Sequence, residues 1–232
     1  PISPRFFTAA GDNVYFTAYD GTVSRIDTTS LEITGKLNLG GFPEALTNAN
    51  GKLYINQSKY YTMPDGGNTI SVVDIATFTK TKDLEVLLNP SEVSLTADNG
   101  KVYFVSVGDY ADLRPTLQCI DPQTDIVTQI CLASKVANKG NKMYILYSEW
   151  GVEDSKEISV LDLTTGVKTK FIDSKQFSNP YTIDIDPTSG NVYIGDVSYS
   201  SMSDMYVFDS EGNLINTFET GIGTAGAFFV TQ

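Results

Sequence analysis

Histidine is missing from this sequence of 232 residues, which also has only two cysteines and one tryptophan. Without histidine, the chain itself cannot build a Ser-His-Asp or Cys-His catalytic arrangement or a histidine-ligated metal site. No apolar run is long enough to cross a membrane as a helix. Basic residues are scarce, at 16 against 28 acidic ones for a net charge of −12, and both kinds are dispersed. These absences argue against histidine-based catalysis, a transmembrane segment and a nucleic-acid partner.

The two cysteines are predicted to be reduced packing residues. Cys119 and Cys131 lie on two strands joined by a turn around Gln123. If that turn centres the hairpin, Cys119 lies opposite about Val127 and Cys131 is roughly four residues farther along, at about 3.4 Å per residue. That separation is too large for a disulfide.

One short sequence motif recurs five times along the chain, and a second motif follows each copy. The first is a short apolar run around a tyrosine, at Tyr15, Tyr54, Tyr103, Tyr144 and Tyr193. The second is an apolar run that ends in an aspartate, at Asp27, Asp74, Asp121, Asp162 and Asp209. Successive anchors of each kind lie 39 to 49 residues apart. Because a residue needed in every repeat is structural, we expect the tyrosines to pack between repeats and the aspartates to accept hydrogen bonds from the following turn.

Each repeat divides into four short strands rich in Val, Ile, Tyr, Phe and Thr, with turn residues between them and no helical periodicity. Several strands, such as ISVVDI and KVYFVSV, are apolar on both faces, so their sheets must be covered on both sides. Four such antiparallel strands per repeat predict an all-β fold, a β-propeller of four-stranded antiparallel blades. A β-sandwich is the alternative, although the sequence of a sandwich would not repeat its motifs so regularly.

The repeats place five blades at about residues 1–40, 41–87, 88–132, 133–173 and 174–220 of a single propeller domain. Residues 221–232 resemble the first strand of a blade whose other three strands do not follow. We expect them to form the inner strand of a further blade that residues upstream of Pro1 complete, because such closure removes exposed sheet edges. The alternative is a five-bladed ring to which this last strand simply adds.

Four segments resemble the YVTN-type β-propellers known as surface-layer proteins. They are GTVSRIDTTSLEI, NGKLYI, NTISVVDIATF and NPYTIDIDPTSGNVYIGD. They are more closely similar to the BtuG group of cell-surface lipoproteins from gut Gram-negative anaerobes. The resemblance covers essentially the whole chain, but its motifs specify blade architecture rather than ligand. It implies a seven-bladed parent, lipid-anchored at the outer cell surface, that captures vitamin B12 and related corrinoids over a TonB-dependent outer-membrane transporter. Likeness of fold does not by itself transfer function.

The connections between second and third strands are long in four repeats, at 56–68, 105–116, 147–157 and 197–204, whereas the other turns within each repeat are minimal. Long loops tend to persist where they bind, so the edge that holds them is the predicted binding face. Its aromatic, amide and hydroxyl groups suit a large amphipathic ligand such as a corrinoid, or a protein surface. The predicted ligand-binding residues are Gln57, Tyr60, Tyr61, Met63, Asn68, Asp109, Tyr110, Tyr147, Ser148, Trp150 and Tyr199. The alternative for Tyr60 and Tyr199 is that they only pack their own loops.

Three classes of function remain. The first is a non-enzymatic, extracytoplasmic binding protein that captures a small amphipathic ligand, with a corrinoid as the ligand that the resemblance suggests. The second is a protein-interaction platform or surface-layer component that uses the same face. The third is a calcium-dependent lactonase or hydrolase, whose ligands would come from scattered loop carboxylates without a ligand-spacing motif. These are Asp65, Asp109, Asp112, Glu149, Glu153, Asp154, Asp196 and Asp204. We predict the first class, with no catalytic residue, metal or cofactor.

Overall fold

The computed structural model describes residues 3–58, 67–109, 111–149, 151–152 and 155–230. Within these ranges, twenty β-strands form five four-stranded sheets, and a short 3₁₀ helix spans Ser174–Gln176. The strands of every sheet follow one another in chain order and pair antiparallel. The predicted all-β fold of four-stranded antiparallel repeats is therefore confirmed. None of the described segments is a helix long and apolar enough to span a bilayer.

The chain divides into two compact units, and unit 1 comprises Pro1–Leu132. Its three sheets pack in sequence, with the first strands of neighbouring sheets against each other. Sheet 1 consists of β1 (Pro4–Ala10), β2 (Asn13–Ala18), β3 (Thr22–Asp27) and β4 (Ile33–Asn38). Sheet 2 consists of β5 (Phe42–Ala49), β6 (Lys52–Ser58), β7 (Thr69–Asp74) and β8 (Thr79–Glu85). Sheet 3 consists of β9 (Pro90–Thr96), β10 (Val102–Ser106), β11 (Thr116–Asp121) and β12 (Ile126–Leu132).

Unit 2 comprises Ala133–Gln232 and has two sheets, again packed through their first strands. Sheet 4 consists of β13 (Lys135–Lys139), β14 (Lys142–Tyr147), β15 (Glu157–Asp162) and β16 (Lys168–Ile172). Sheet 5 consists of β17 (Pro180–Ile185), β18 (Val192–Asp196), β19 (Ser203–Phe208) and β20 (Leu214–Thr220). That the two units form a single propeller domain stays a prediction.

Sheet 2 shows why its strands are apolar on both faces. On one face Leu53, Ile55 and Val73 pack in a cluster with sheet 1. On the other face Tyr54 and Val72 pack in a cluster with sheet 3. Both faces are thus removed from water, and an alternating polar pattern would place polar groups in one of the two cores.

The repeated tyrosines pack as predicted wherever the next sheet lies in the same unit. Tyr15, Tyr54 and Tyr144 are each at most 2% exposed and belong to clusters that join their own sheet to the following one. The Tyr54 hydroxyl also donates to Asp125 in the last turn of sheet 3, at 2.9 Å. These tyrosines are structural, since their rings fill the space between sheets.

The repeated aspartates accept hydrogen bonds from the turn between the third and fourth strands, as predicted. Backbone donors from these turns reach the carboxylates of Asp27, Asp74, Asp121, Asp162 and Asp209. At Asp162, for example, the amides of Thr164 and Thr165 both donate at 2.8 Å. Backbone donors favour the ionised carboxylate, so the pKa of Asp162 lies below its usual range.

The two cysteines form no disulfide, but their predicted register was wrong by one residue. Asp121 pairs with Ile126 across the turn, which places Cys119 opposite Thr128 rather than Val127. A bulge farther along the same pair of strands places Cys131 opposite Leu117. The extra residue in a bulge shifts every later pairing, and nothing in the hairpin sequence marked it.

Residues 221–230 lie against sheet 5 and form no strand. The Ala227 amide donates to Asp184 Oδ2 at 2.9 Å, and the Phe229 ring packs on Tyr193 with 5.0 Å between ring centroids. Phe228 and Val230 point away and are 91% and 81% exposed. Packed and exposed side chains thus alternate, as they do in an extended segment. Its assignment as the inner strand of a further blade stays a prediction.

Candidate functional site

The two ends of the strands in each sheet carry different kinds of connection. The turns that join first to second and third to fourth strands lie at one end, and we call this end the turn edge. The connections from second to third strands, and from each sheet to the next, lie at the opposite end, which we call the loop edge. In sheets 2 to 5 the connections between second and third strands are 59–68, 107–115, 148–156 and 197–202. The loop edge therefore holds the predicted binding segments, slightly shorter than the sequence suggested.

Five of the eleven predicted ligand-binding residues fall outside the described part of the chain. They are Tyr60, Tyr61, Met63, Tyr110 and Trp150. Their assignment to a ligand stays a prediction.

Gln57 and Tyr147 lie in strands, and their prediction as loop residues was wrong. Gln57 is the penultimate residue of β6 and is 7% exposed, while Tyr147 ends β14 and is 6% exposed. The Gln57 amide donates to Ser71 Oγ at 3.1 Å. Strand pairing continues farther into these segments than turn chemistry indicated, and it leaves both side chains little surface for a ligand.

Asn68, Asp109 and Ser148 lie on the loop edge, and each has at least one polar group bonded within the protein. The Asp109 carboxylate accepts from the amides of Ala111 and Leu113, both at 2.9 Å, and these bonds hold its pKa below the usual range. The Ser148 amide and carbonyl both bond Ser134 Oγ. The Asn68 carbonyl accepts from Val86. These bonds shape the connections in which the three residues lie.

Tyr199 is a predicted site residue that the structure exposes, at 61%. Its ring makes an edge-on contact with Tyr181, with 6.5 Å between centroids and an angle of 79°. Lys135 Nζ lies 5.5 Å from the centroid of the Tyr181 ring. Partial burial raises the pKa of the Tyr199 phenol, and the neighbouring Tyr181 phenol raises it further. Unit 2 thus presents two tyrosines and a lysine together on its loop edge.

Tyr181 and Lys135 were not among the predicted residues, although the sequence carries a signal for Tyr181. In four of the five sheets the first strand carries a register irregularity close to its start, beside Pro4, Pro43, Pro90 and Pro180. Proline is tolerated in sheets chiefly at strand starts and bulges, and a bulge re-aims the side chain that it inserts. Tyr181 follows Pro180 and points to the surface, 41% exposed, between two buried neighbours. Sheet 4 has no such proline, and β13 pairs with β14 without a break.

In unit 1 the corresponding bulges place an ion pair on the loop edge. Arg5 contacts Glu44 at 2.9 Å, and the two side chains are 28% and 11% exposed. The Arg5 guanidinium lies 4.6 Å from the centroid of Tyr19 and 5.3 Å from that of Phe6. Stacked and paired in this way, Arg5 holds the Tyr19 ring at the surface.

The loop-edge carboxylates that the structure describes do not gather as calcium ligands would. Among the described residues, no three Asp, Glu or Cys side chains lie close enough together to hold a metal ion. Asp196, for instance, accepts from the amides of Ser178 and Asn179. Asp65, Glu153 and Asp154 lie outside the described residues.

Comparison with solved structures gives β-propeller proteins at low sequence identity. A structure of Kuenenia stuttgartiensis hydrazine synthase matches with a TM-score of 0.71 at 15% identity, covering 94% of this chain and 66% of that one. BamB from Moraxella catarrhalis matches with a TM-score of 0.57 at 15% identity, covering 97% and 66%. The computationally designed Ika8 protein matches with a TM-score of 0.63 at 14% identity, covering 98% and 65%. No protein-family model and no curated protein matches the chain.

The likenesses to solved structures show the fold alone, because fold similarity at such identity does not transfer function. This chain has the β-propeller fold and spans about two thirds of the length of those three structures.

Proposed function

We propose that this protein is a non-enzymatic β-propeller binding protein whose loop edge captures a large amphipathic small molecule. A corrinoid such as vitamin B12 is the specific ligand that the sequence resemblance suggests. The same resemblance supports an outer-surface location and delivery of the ligand to a TonB-dependent transporter.

The placement of exposed tyrosines is the observation on which the proposal rests. Ten of the thirteen tyrosines lie in the described part of the chain. Only Tyr19, Tyr181 and Tyr199 among these ten are exposed, at 42%, 41% and 61%, and each lies at the loop edge of its own sheet. The repeated tyrosines that fill the spaces between sheets are buried or half-buried. Tyrosine exposure is therefore concentrated where the long connections are, as expected of a recognition surface.

The chemistry of this edge suits a ligand with both apolar area and neutral polar groups. Tyrosine rings offer flat apolar contact at a low cost in conformational entropy, and their hydroxyls exchange hydrogen bonds with amides. A corrinoid has a large ring with a fringe of amide side chains, which matches both properties. Tyr60, Tyr61, Tyr110 and Trp150 lie outside the described residues, and their contact with the ligand stays a prediction.

Calorimetric titration with cyanocobalamin and with cobinamide tests this proposal. We expect binding by the wild-type protein and a loss of at least about tenfold in affinity when Tyr181→Ala and Tyr199→Ala are combined, since two aromatic contacts disappear. Leu214→Ala is the control, because Leu214 is 54% exposed at the turn edge of sheet 5.

Two results would overturn the assignment. Failure of the folded protein to bind either corrinoid rejects this ligand and favours a protein-interaction platform on the same edge. Hydrolysis of a lactone that disappears on calcium chelation would contradict the non-enzymatic role.

A further inference from the structure

Two turns of unit 1 contain asparagine followed by glycine, at Asn50-Gly51 and at Asn99-Gly100. The first joins β5 to β6 and the second lies between β9 and β10, so both are on the turn edge. Asparagine before glycine is prone to lose its side-chain amide, because glycine has no side chain to shield its backbone nitrogen. Both asparagines are exposed and both glycines precede a lysine, so neither exposure nor sequence separates the two sites.

Asn50 and Gly51 are the two central residues of a tight hairpin turn. Ala49 pairs with Lys52 across it, and the φ angles of Asn50 and Gly51 are 49° and 71°. Positive φ at both positions is typical of a type I′ turn, whose own hydrogen bond joins the residues on either side of this pair. The Gly51 amide therefore takes no part in the hydrogen bond that closes the turn.

The turn around Asn99 is closed by the corresponding amide. The Gly100 amide donates to the Ala97 carbonyl at 2.8 Å. The Asn99 side chain is bonded at both ends, because Oδ1 accepts from the Lys101 amide at 3.0 Å and Nδ2 donates to the Tyr103 hydroxyl at 3.0 Å. A bonded backbone amide exchanges its proton only when the bond opens, so this turn must open before the Gly100 nitrogen can react.

The Asn50 side chain is bonded through its amide group to sheet 3. Its Nδ2 atom donates to the Pro122 carbonyl at 3.2 Å. Lys52 Nζ donates to the same carbonyl at 3.0 Å, so the acceptor is shared. Because the Asn50 bond is at the long end of the usual range, it restrains the carboxamide less than the two bonds at Asn99 do.

We propose that Asn50 is a site of spontaneous deamidation, and that the turn around Asn99 resists the same reaction. The Gly51 nitrogen gives its proton to hydroxide and attacks Asn50 Cγ, which closes a succinimide ring. The bond from Cγ to Nδ2 breaks, and Nδ2 leaves as ammonia. Water then adds to either ring carbonyl and leaves aspartate or isoaspartate at position 50. In total, a water molecule is consumed and an ammonia molecule is released.

Deamidation removes a contact between sheets 2 and 3. Either product carries a carboxylate, which when ionised cannot donate to the Pro122 carbonyl as Asn50 Nδ2 does. Isoaspartate also adds a carbon atom to the backbone of a two-residue turn, and turn length sets the register of a hairpin. The reaction takes place on the turn edge and is independent of the ligand capture proposed for the loop edge.

Peptide mapping by mass spectrometry after incubation in mildly alkaline, ¹⁸O-enriched buffer tests the proposal. Each conversion takes up an oxygen atom from the solvent, and electron-transfer fragmentation distinguishes isoaspartate from aspartate. In the folded protein we expect both products at Asn50, formed at least about fivefold faster than at Asn99, as one ordinary hydrogen bond implies. A parallel incubation in concentrated urea is the control, because both turns are then unfolded and should react at similar rates.

Three results would refute the proposal. The first is a similar rate at Asn50 and Asn99 in the folded protein, since the two turns would then offer equal protection. The second is an Asn50 that stays intact in the folded protein while it reacts in urea. The third is conversion of Asn50 to aspartate alone, because a succinimide formed with Gly51 opens to both products.

Discussion

Asp125 joins sheets 2 and 3 by charge, in addition to the packing between them. Its side chain is only 7% exposed and forms ion pairs with Lys52 at 3.0 Å and with Lys82 at 2.6 Å, while Tyr54 donates to it at 2.9 Å. Burial raises the pKa of Asp125, but bonds from Lys82, Lys52 and Tyr54 outweigh this and lower it overall. A buried carboxylate is tolerated here because its oxygens are paired.

Asp125→Asn isolates the charge, because Asn also tolerates the left-handed backbone of this residue, at φ 57°. We expect the free energy of unfolding to fall by about 1–2 kcal/mol, since two lysines lose their partner and both are partly exposed. Urea unfolding measures the change, and Tyr54→Phe, which removes one hydrogen bond, should cost less. A change below about 0.5 kcal/mol in Asp125→Asn would show that the pairing is not stabilising.

The turns between third and fourth strands are stabilised by ionised aspartates, so their stability depends on pH. Backbone amides or the side chains beside them lower the pKa of Asp27, Asp74, Asp162 and Asp209. Because each folded pKa lies below the unfolded value of about 3.9, the stabilisation is present above about pH 4. It is lost as the pH falls through the folded pKa, when the carboxylates bind protons.

We therefore expect the free energy of unfolding to decrease between about pH 5 and pH 3. A variant with Asn at these four aspartates keeps an acceptor oxygen but cannot titrate, so its decrease should be shallower. Urea unfolding at a series of pH values measures both slopes. A variant with Asp12→Asn and Asp98→Asn, two exposed aspartates of other turns, controls for lost charge. Identical slopes in all three proteins would exclude the repeated aspartates as the source.

The repeated elements were predictable from the sequence because each signal recurs. Five copies of a tyrosine and an aspartate at matching strand positions fixed the strand order and the turn chemistry, which the structure bears out at Tyr54 and Asp162. Irregular positions were not predictable in the same way. The bulge that shifts Cys131 depends on pairing between strands, and the exposure of Tyr181 depends on the inserted residue after Pro180. Gln57 and Tyr147 were placed in loops because strand ends depend on partners that a single segment does not show.

At the scale of the whole molecule, the sheets of each unit gain stability by stacking within that unit, and residues 224–230 extend the stacking on sheet 5. Tyr193 and Asp184 are directly opposite each other on β18 and β17. They contact Phe229 and the Ala227 amide respectively. In sheet 4 the equivalent Tyr144 is covered by sheet 5 itself. The segment thus covers the repeated tyrosine of the last sheet, as a neighbouring sheet covers that of sheet 4.

Phe229→Ala and Phe228→Ala form a matched pair that tests this covering role. The two rings are adjacent in sequence, but Phe229 packs on Tyr193 whereas Phe228 is 91% exposed. Removal of Phe229 should lower the free energy of unfolding by about 1–2 kcal/mol, less than a fully buried ring, because it is half-buried. Phe228→Ala should change it by less than about 0.5 kcal/mol. Hydrogen exchange of the β18 amides should rise in Phe229→Ala, because opening of the covered face becomes easier. If the two variants were equally destabilised, or if neither changed, residues 224–230 would have no stabilising role on sheet 5.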